Sequence, residues 1–395
     1  MRRAVLIVAA LLLIAWKPAP ATTWHVLPDS TGDAPTIQAA IDSSSGGDTV
    51  LVAPGTYYVN LHIFQKPDLI LASEGGRDVT ILDGDPAYSS QYRSVIRVFS
   101  SPGVVVEGFT IQGARVGMVG TVGGGIEIGD SNPVIRDNMI RDNRGNYGGG
   151  IGFRWSCASC AGSVIENNSF IGNRATEDDG CGGVYLSFVG GTVGIRDNYF
   201  EGNTGEFGAI YGYLSKIVAE DNACLRNSSM KWCIYASHAI STVTRNLVAM
   251  DMGAGIVCNG GEANANTVFG NNLSGLSVFD GIAANNLVIG NREGITCYES
   301  ALSCNNAWSN SEYDYDGLEG TCDSAGVNGN ISADPLFCNP DADDYSIASE
   351  SPCAPENSGG CGLIGALPVG CTVTSVPAGG TREPVSWGSV KKLFR

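Results

Sequence analysis

Three tyrosines occupy the same position of a short recurring pattern, in which a small residue is followed by an aliphatic one. The pattern reads CGGVYL, FGAIYG and WCIYAS, and it aligns Tyr185, Tyr211 and Tyr235. Tyr213 lies two residues after Tyr211, in a column that also contains Arg154. Flat aromatic faces beside polar side chains suit the rings of sugars. The alternative is that the tyrosines only stack on one another and stabilise a sheet.

Two groups of acidic residues could supply oxygen ligands to a calcium ion. Asp178 and Asp179 are adjacent in the widest loop, and Asp314, Asp316 and Glu319 cluster in SEYDYDGLEG. The second group lacks the spacing of an EF-hand or of the nonapeptide calcium repeat. Solvated loops are therefore the alternative interpretation for both groups. No cofactor other than calcium is expected.

An asparagine column indicates how these residues are positioned. Successive asparagines of this column are 30 residues apart at first, then 24 and then 20. The residues three places before and two places after each asparagine are mostly apolar. The column consists of Asn138, Asn168, Asn198, Asn222, Asn246, Asn266, Asn286 and Asn306. Self-similar segments with periods of this length are typical of solenoids. Each repeat is predicted to contain a strand, a tight turn at the asparagine, a second strand, a variable loop and a third strand.

Asparagine suits this turn because it tolerates a positive φ angle and its side chain can bond nearby backbone groups. Stacked repeats would place identical amides about 4.8 Å apart, where they can hydrogen-bond along the stack. No amphipathic helix fits within the shortest repeats, which excludes solenoids that alternate strands with helices. The chain is therefore predicted to be all-β.

The repeats resemble those of right-handed parallel β-helix proteins of the pectin-lyase-like superfamily. The stretch PTIQAAIDSSSGGDTVLVAPGTY supports the resemblance, because Thr36 can cap a short helix that covers the open end of the first coil. ISADPLFCNPDADDYSIASESPC resembles the last segment of secreted bacterial β-helix proteins. The resemblance implies a β-helix (solenoid) domain over residues 22–370, with roughly ten coils and a short N-terminal capping helix.

In the enzymes of this superfamily, the sheet that corresponds to the tyrosine column forms a polysaccharide cleft. The fold, however, also occurs in hydrolases, esterases, binding proteins and adhesins. The Gly-His-Gly string of polygalacturonase-like enzymes and the DH and RxPxxR strings of pectate-lyase-like enzymes are absent. All four glutamines precede the main repeats, which disfavours a pectin-esterase-like site. The sequence therefore leaves open whether the chain is an enzyme.

The favoured prediction is an exported protein that binds an extracellular polysaccharide along an outward face formed by Tyr185, Tyr211, Tyr213, Tyr235 and Arg154. One alternative is a polysaccharide lyase or glycoside hydrolase that uses the same cleft. The other alternative is a surface or adhesion scaffold without a glycan ligand.

The N-terminal segment, residues 1–21, has the features of a signal peptide. Two arginines precede an apolar run that is too short to span a bilayer, and the small residues up to Ala21 fit a cleavage site. The protein is therefore predicted to be secreted or held at the cell surface, with no transmembrane segment after cleavage. The formal net charge of -17 disfavours nucleic acid and anionic lipid as partners. Residues 371–395 are predicted to be a linker and a basic tail that a sorting or anchoring system could recognise.

The 13 cysteines of an exported chain indicate disulfides rather than a zinc site. Most bridges are expected from the C-terminal group of Cys322, Cys338, Cys353, Cys361 and Cys371. Cys258 and Cys297 share one inward column, but two coil steps separate them by about 9.6 Å. A disulfide cannot span that distance, so these two residues should not pair with each other.

Overall fold

The computed structural model describes residues 20–84, 94–116, 121–238, 240–317 and 324–372. Most of the predicted signal peptide and most of the predicted C-terminal tail lie outside these residues, as do Glu319 and Cys322. Within the described ranges, no helix is both long enough and apolar enough to cross a membrane.

Three long sheets, here called A, B and C, run along the described part of the molecule and contain 12, 11 and 11 strands. Neighbouring strands within each sheet are parallel, and the chain passes from sheet A to B to C and back to A in each coil. The chain therefore winds into a right-handed parallel β-helix, the fold that the sequence resemblance implied. Sheets B and C give eleven coils in these residues, close to the number predicted.

The strands are short, and their bounds repeat from coil to coil. Sheet A contains Thr23–Val26, Thr49–Val52, Ile70–Ser73, Val105–Glu107, Val134–Arg136, Val164–Glu166, Thr192–Arg196, Lys216–Glu220, Thr242–Thr244, Glu262–Asn264, Ile282–Ala284 and Ala301–Ser303. Sheet B contains Gly55–Val59, Thr80–Gly84, Thr110–Gln112, Met139–Arg141, Ser169–Ile171, Tyr199–Glu201, Ala223–Leu225, Leu247–Ala249, Thr267–Phe269, Leu287–Ile289 and Asn306–Trp308. Sheet C contains Leu61–Phe64, Ile96–Phe99, Ile126–Gly129, Ile151–Phe153, Val184–Ser187, Ile210–Tyr213, Trp232–Ser237, Ala254–Asn259, Ser274–Phe279, Glu293–Tyr298 and Tyr313–Gly317.

The described residues contain two further sheets, which are smaller. The first joins Arg144–Gly145, Arg174–Ala175, Thr204–Gly205 and Ser228–Ser229, which follow the strands of sheet B. The second joins Phe337–Asn339, Asp344–Ala348 and Val369–Cys371, near the C-terminal end.

One continuous core fills the interior of the β-helix, because the inward side chains of all three sheets are apolar. Ile135, Ile165 and Ile195 lie in register in sheet A, and none of them is exposed to solvent. Phe170 and Phe200 stack in sheet B with their ring centroids 4.6 Å apart. These are the apolar columns that flank the asparagines in the sequence, so the predicted alignment of these repeats is confirmed.

The asparagine column forms a buried hydrogen-bond ladder at the turn between sheets A and B. Oδ1 of Asn198 accepts from the backbone N–H and from the Nδ2 group of Asn168, at 3.0 and 3.1 Å. Nδ2 of Asn198 donates to Oδ1 of Asn222 at 3.0 Å and to the carbonyl oxygen of Ile165 at 2.9 Å. The polar atoms of the buried amide are thereby satisfied, and each coil is bonded to the coils on both sides.

The positive φ angle of this turn belongs to the residue before each ladder asparagine. Asp137, Asn167 and Asp197 have φ angles of 58°, 57° and 55°, whereas the ladder asparagines that follow them do not have positive φ angles. This corrects the expectation that the ladder asparagine adopts the left-handed conformation. The ladder position uses the side-chain amide, and the preceding residue supplies the turn.

The prediction that Asn306 is the last member of the ladder is wrong. Asn286 donates to Oδ1 of Asn305, and Asn305 donates to Oδ1 of Asn330, at 2.9 and 3.0 Å. The step after Asn286 is one residue shorter than the step before it, so a regular spacing misplaces the column by one position. Asn306 instead begins a strand of sheet B, and its side chain bonds the backbone of Ala333.

A second buried ladder lies where the chain leaves sheet B. It consists of Asn143, Asn173, Asn203, Asn227, Asp251, Asn271, Asn291 and Asn310. From Asn173 onwards, the side-chain oxygen of each member accepts a hydrogen bond from the backbone N–H of the ladder member one coil earlier. The left-handed residue again comes one place earlier, as at Asp142 and Gly172. Both turns that flank sheet B are therefore fixed by the same arrangement, a left-handed residue followed by a hydrogen-bonded ladder side chain.

A short helix lies at the N-terminal end of the stack, at Ile37–Ser43. Oγ1 of Thr36 accepts a hydrogen bond from the backbone N–H of Ala39 at 3.1 Å, which caps the first turn. The helix buries Ile37, Ala40 and Ile41 in the common core. It thereby covers apolar side chains of the first coils.

The C-terminal segment, residues 331–371, folds back along the outer face of sheet B. Tyr345 and Leu367 are buried there in one cluster with Tyr199 and Leu247 of sheet B. The Cys304–Cys361 disulfide ties this segment to the stack, and the Cys338–Cys371 disulfide closes the segment on itself.

The cysteine predictions are confirmed in part. Cys258 keeps a free, buried thiol while Cys297 is in a disulfide, so the two do not pair with each other. Cys338, Cys361 and Cys371 form bridges as predicted, and the Cys157–Cys160 pair forms a further one. The expected bridge from Cys353 is wrong, because this thiol is free and buried between the C-terminal segment, to which it belongs, and Leu287 and Ile289 of sheet B.

The ladder predicts a large cost for removing one internal amide. Asn198→Leu should lower the free energy of unfolding by roughly 1–3 kcal/mol, because the amide groups of Asn168 and Asn222 would lose a buried partner. Asn272→Leu is the matched control, since Asn272 is exposed and adjoins the second ladder. Urea unfolding of both variants measures the effect. Equal, negligible changes in the two would show that the buried amides do not stabilise the stack.

Asp251 is the one acidic member of the two ladders in the described residues. One of its carboxylate oxygens accepts from the backbone N–H of Asn227, and the other has no hydrogen-bond partner in the described structure. The backbone N–H of Asp251 donates to Oδ1 of Asn271 at 3.0 Å. Because the side chain is fully buried, desolvation raises the pKa of Asp251 to about 7.

This raised pKa predicts a pH-dependent loss of stability. Asp251 ionises near pH 4 in the unfolded chain and near pH 7 in the folded chain, so the folded state loses stability as the pH rises through this window. Asp251→Asn should remove this pH dependence. Relative to the parent, its free energy of unfolding should be higher by about 2–4 kcal/mol above pH 7, and the difference should be smallest near pH 4. Thermal or urea unfolding across this range, with the exposed Asp280→Asn as control, tests it. A constant difference between parent and variant would contradict the assignment.

Candidate functional site

The outward column of sheet C brings the predicted tyrosines together with charged residues from earlier coils. Tyr185, Tyr211 and Tyr235 lie in direct register on three adjacent strands. The same column continues towards the N-terminal end through Gly152, Glu127, Arg97 and His62. The candidate surface therefore extends beyond the tyrosines predicted from the sequence.

The sequence analysis missed Arg97 and Glu127, although a signal for them was present. GGGIEIG carries Glu127 directly after an aliphatic residue, as CGGVYL carries Tyr185. SVIRVF places Arg97 in the same way, without the preceding glycines. The asparagine column that defines the repeat in the sequence begins at Asn138, so the earlier coils that carry Arg97 and Glu127 have no ladder asparagine to align them.

The loops that precede the strands of sheet C fold over this outward face. Gly123, Gly148, Cys181 and Phe207 form a ladder of parallel bridges above the sheet. A Cβ atom added to Gly152 would come within 2.6 Å of the backbone nitrogen of Gly123, so only glycine allows the loop to approach this closely. The covered part of sheet C thus has an apolar layer outside the main core.

This outer layer buries two of the predicted tyrosines. The rings of Tyr185, Tyr211 and Tyr235 stack with successive centroids 5.1 and 5.2 Å apart, and Phe207 lies 4.3 Å from Tyr211. Tyr185 and Tyr211 are only 4% and 6% exposed. Burial raises the pKa of both hydroxyls. The expectation of an open platform is therefore wrong for these two rings, because the loops cover their flat faces.

A cleft of about 770 Å³ remains open beside the stacked tyrosines. Its most exposed aromatic side chains are Trp155 and Phe188, at 55% and 50% exposure. Tyr213, Trp232 and Tyr235 are partly exposed on the same lining. These rings, rather than the faces of Tyr185 and Tyr211, are accessible to a ligand.

A second cavity of about 510 Å³ adjoins the cleft, since Tyr147 and Trp155 line both. Arg154, which the sequence placed near the tyrosines, lies in this cavity together with Asp130 and Glu177. The indole N–H of Trp155 donates to the Tyr185 hydroxyl at 3.3 Å. The two cavities adjoin at these shared residues and are called here, taken together, the sheet C cleft.

A buried carboxylate orders the arginines at this end of the cleft. Glu127 has no solvent exposure, and its oxygens lie 2.9 Å from Nε of Arg97 and 3.8 Å from Nε of Arg154. Both guanidinium groups lie over the ring of Phe99, at 4.8 and 5.4 Å from its centroid. Glu127 and Phe99 together hold the two cations in place.

The opposite end of the cleft carries exposed carboxylates. Lys231 lies 2.7 Å from Glu206 and 3.0 Å from Asp179, and the hydrogen bond to Glu206 is the main cause that raises the pKa of Lys231. Asp178 is exposed beside them in the same lining. The charged groups of this end are thus mostly acidic.

The candidate calcium ligands lie in two separate places. Asp178 and Asp179 are in the cleft lining, where Asp179 pairs with Lys231. Asp314 accepts hydrogen bonds from Asn310 and Ser332, and Asp316 belongs to the last strand of sheet C. Within the described ranges, no three acidic, histidine or cysteine side chains are grouped so that they could hold a metal ion. A calcium site remains an untested prediction.

Comparisons with known proteins identify the fold. The chain is similar to the PL6 family alginate lyase AlyGC, with a TM-score of 0.51 and 15% identity over 80% of this chain and 54% of that chain. A mutant of the same lyase gives a TM-score of 0.52 and 14% identity over 88% of this chain and 57% of that chain. The pectate lyase Pel9A matches with a TM-score of 0.47 and 12% identity, over 89% of this chain and 97% of that chain.

The chain spans about half the length of the alginate lyase that it matches. No protein-family model and no curated protein matches it. Together with the three stacked parallel sheets, the structural likeness shows a right-handed parallel β-helix.

Because the tyrosine rings are packed, removal of one of them should destabilise the protein. An open platform of exposed rings would predict no loss of stability. Tyr211→Ala should lower the free energy of unfolding by about 3 kcal/mol, because the ring is enclosed by Tyr185, Tyr235 and Phe207. Tyr58→Ala is the control, since Tyr58 is 64% exposed; its effect should stay within about 0.5 kcal/mol. Calorimetry of the two variants decides the point. A stable Tyr211→Ala protein would mean that the loops do not cover the ring in solution.

Proposed function

We propose that the protein is exported and binds an extracellular polysaccharide in the sheet C cleft. The observation that carries the proposal is this cleft, whose lining combines accessible aromatic rings with polar groups from several coils. Sugar rings present apolar C–H faces and polar hydroxyl edges, so aromatic and polar side chains in one groove complement them. The coil spacing of about 4.8 Å is close to the advance of one sugar unit along an extended chain.

The disulfides support the proposed location outside the cytoplasm. Bridges such as Cys304–Cys361 and Cys338–Cys371 persist in oxidising compartments and are rare in the cytosol. The predicted signal peptide agrees with export. We extend the proposal to the C-terminal tail, for which recognition by a sorting or anchoring system is the proposed role.

A polysaccharide lyase or glycoside hydrolase is the second candidate. Asp130, Glu177 and Arg154 line one cavity, and carboxylate and guanidinium groups are residue types that act as acids, bases and charge stabilisers in glycan cleavage. The similar alginate lyases share the fold, which supports this candidate at the level of fold only. Burial raises the pKa of the Tyr185 and Tyr211 hydroxyls, which makes these two groups poor bases for such a reaction.

One screen distinguishes these functions. The purified protein is incubated with a panel of soluble and insoluble polysaccharides, with and without calcium, and both retention and new reducing or unsaturated ends are measured. Retention without new ends supports binding, and unsaturated or reducing ends support a lyase or a hydrolase. A protein that retains no polysaccharide and releases no product would instead be a surface or adhesion scaffold.

Two variants test whether the polysaccharide binds in the sheet C cleft. Trp155→Ala and Phe188→Ala should each weaken retention about threefold to tenfold, because each removes an accessible ring worth about 0.5–1.5 kcal/mol. Tyr58→Ala removes an exposed ring outside the cleft lining and should leave retention unchanged. Affinity electrophoresis measures all three, with a melting curve to verify folding. Unchanged retention in a folded double variant would place the glycan elsewhere.

A further inference from the structure

The charged groups of the sheet C cleft define the class of glycan that it accepts, provided that the proposed binding function holds. At the end that carries Phe99, Arg97 and Arg154 pair with Glu127, and Arg154 lines the cavity together with Asp130 and Glu177. At the other end, Lys231 faces the carboxylates of Asp178, Asp179 and Glu206. The cleft and its immediate neighbours thus contain three cations and six carboxylates.

The three cations are already paired with protein carboxylates. Arg97 and Arg154 share Glu127, whose side chain is buried and cannot move into solvent. Lys231 is held by two carboxylates at once, Glu206 and Asp179. The positive charge of these cations is therefore offset by protein carboxylates, so an incoming acidic sugar gains less from them than from an unpaired cation.

An acidic polysaccharide would also carry its charge into an acidic groove. A polyuronate has one carboxylate on every sugar, and at about one sugar per coil several of them would enter the cleft together. Each would meet the exposed carboxylates of Asp130, Glu177 and Asp178, which are not paired with Lys231. Like charges at such short distances repel one another and lose their hydration on binding.

The same groups suit an uncharged sugar. Ionised carboxylates only accept hydrogen bonds, and the hydroxyl groups of a sugar can donate to them. Trp155 and Phe188 supply apolar faces beside Asp178 and Glu177 in this groove. We propose that the sheet C cleft binds an uncharged, hydroxyl-rich polysaccharide and excludes polyuronates.

A matched pair of polymers tests this proposal. Polygalacturonate and its fully methyl-esterified form share one backbone and differ in charge, and neutral galactan, xylan and glucan complete the set. The parent protein should bind at least one uncharged polymer, and the esterified polymer at least about tenfold more tightly than polygalacturonate. Its affinity for an uncharged polymer should change by less than about twofold between 0.05 and 0.5 M salt.

A variant reverses the exclusion. Asp130→Asn, Glu177→Gln and Asp178→Asn together keep the size of the side chains while they remove three negative charges. This protein should gain at least about fivefold in affinity for polygalacturonate. The control carries Glu74→Gln, Asp78→Asn and Asp280→Asn, which make the same change in net charge at exposed positions outside the cleft lining, and it should show no gain.

The outcomes separate this proposal from the proposed function. Tighter binding of polygalacturonate than of its ester, with or without calcium, would overturn the proposed glycan class and leave polysaccharide binding intact. Equal gains in the cleft variant and in the control would show that overall charge, not the cleft, excludes acidic chains. A folded parent protein that binds none of the polymers would refute both proposals.

Discussion

The stack depends on one interaction, the hydrogen bond between the buried amides of ladder asparagines on adjacent coils. A buried amide without a partner is costly, and Oδ1 and Nδ2 of Asn198 find their partners in the ladder side chains and backbone groups of the adjacent coils. The two ladders therefore hold both turns around sheet B in register along the repeats. Strands of only three residues can stack reliably because each coil is bonded at these two fixed points.

The fixed turns leave the two connections that flank each strand of sheet C free to vary in length. The two coils that span Asn138 to Asn198 are the longest of the ladder, with steps of 30 residues, and their extra residues lie before and after the strands of sheet C, as in 172–183 and 154–163. These loops cover Tyr185 and Tyr211 and form the walls of the sheet C cleft. The coils from Asn246 to Asn305, with steps of 20 and 19 residues, have no room for such walls. The cleft therefore lies where the coils are longest.

The outward faces of the β-helix are used in two different ways. On sheet B, the C-terminal segment covers apolar residues such as Leu247 with Tyr345 and Leu367, and disulfides hold it there. On sheet C, the stacked tyrosines form a second apolar layer, and its edge remains open as a groove lined by Trp155 and Phe188. Burial of the tyrosines thus gives the groove a rigid floor, while charged residues of the loops determine which ligand can enter.

The sequence by itself determined the repeat, the all-β solenoid and most of the first ladder, because identical coils impose identical residue types at identical positions. It misplaced the last ladder member at Asn306, since a one-residue deletion in a loop leaves no trace in a regular spacing. It also placed Tyr185, Tyr211 and Tyr235 in one column, which the strand register confirms. Only the tertiary structure decided which of these rings are accessible and that Glu127 joins Arg97 and Arg154. Loop conformation depends on contacts between coils that no single repeat encodes, so exposure and charge pairing become defined only when the coils stack.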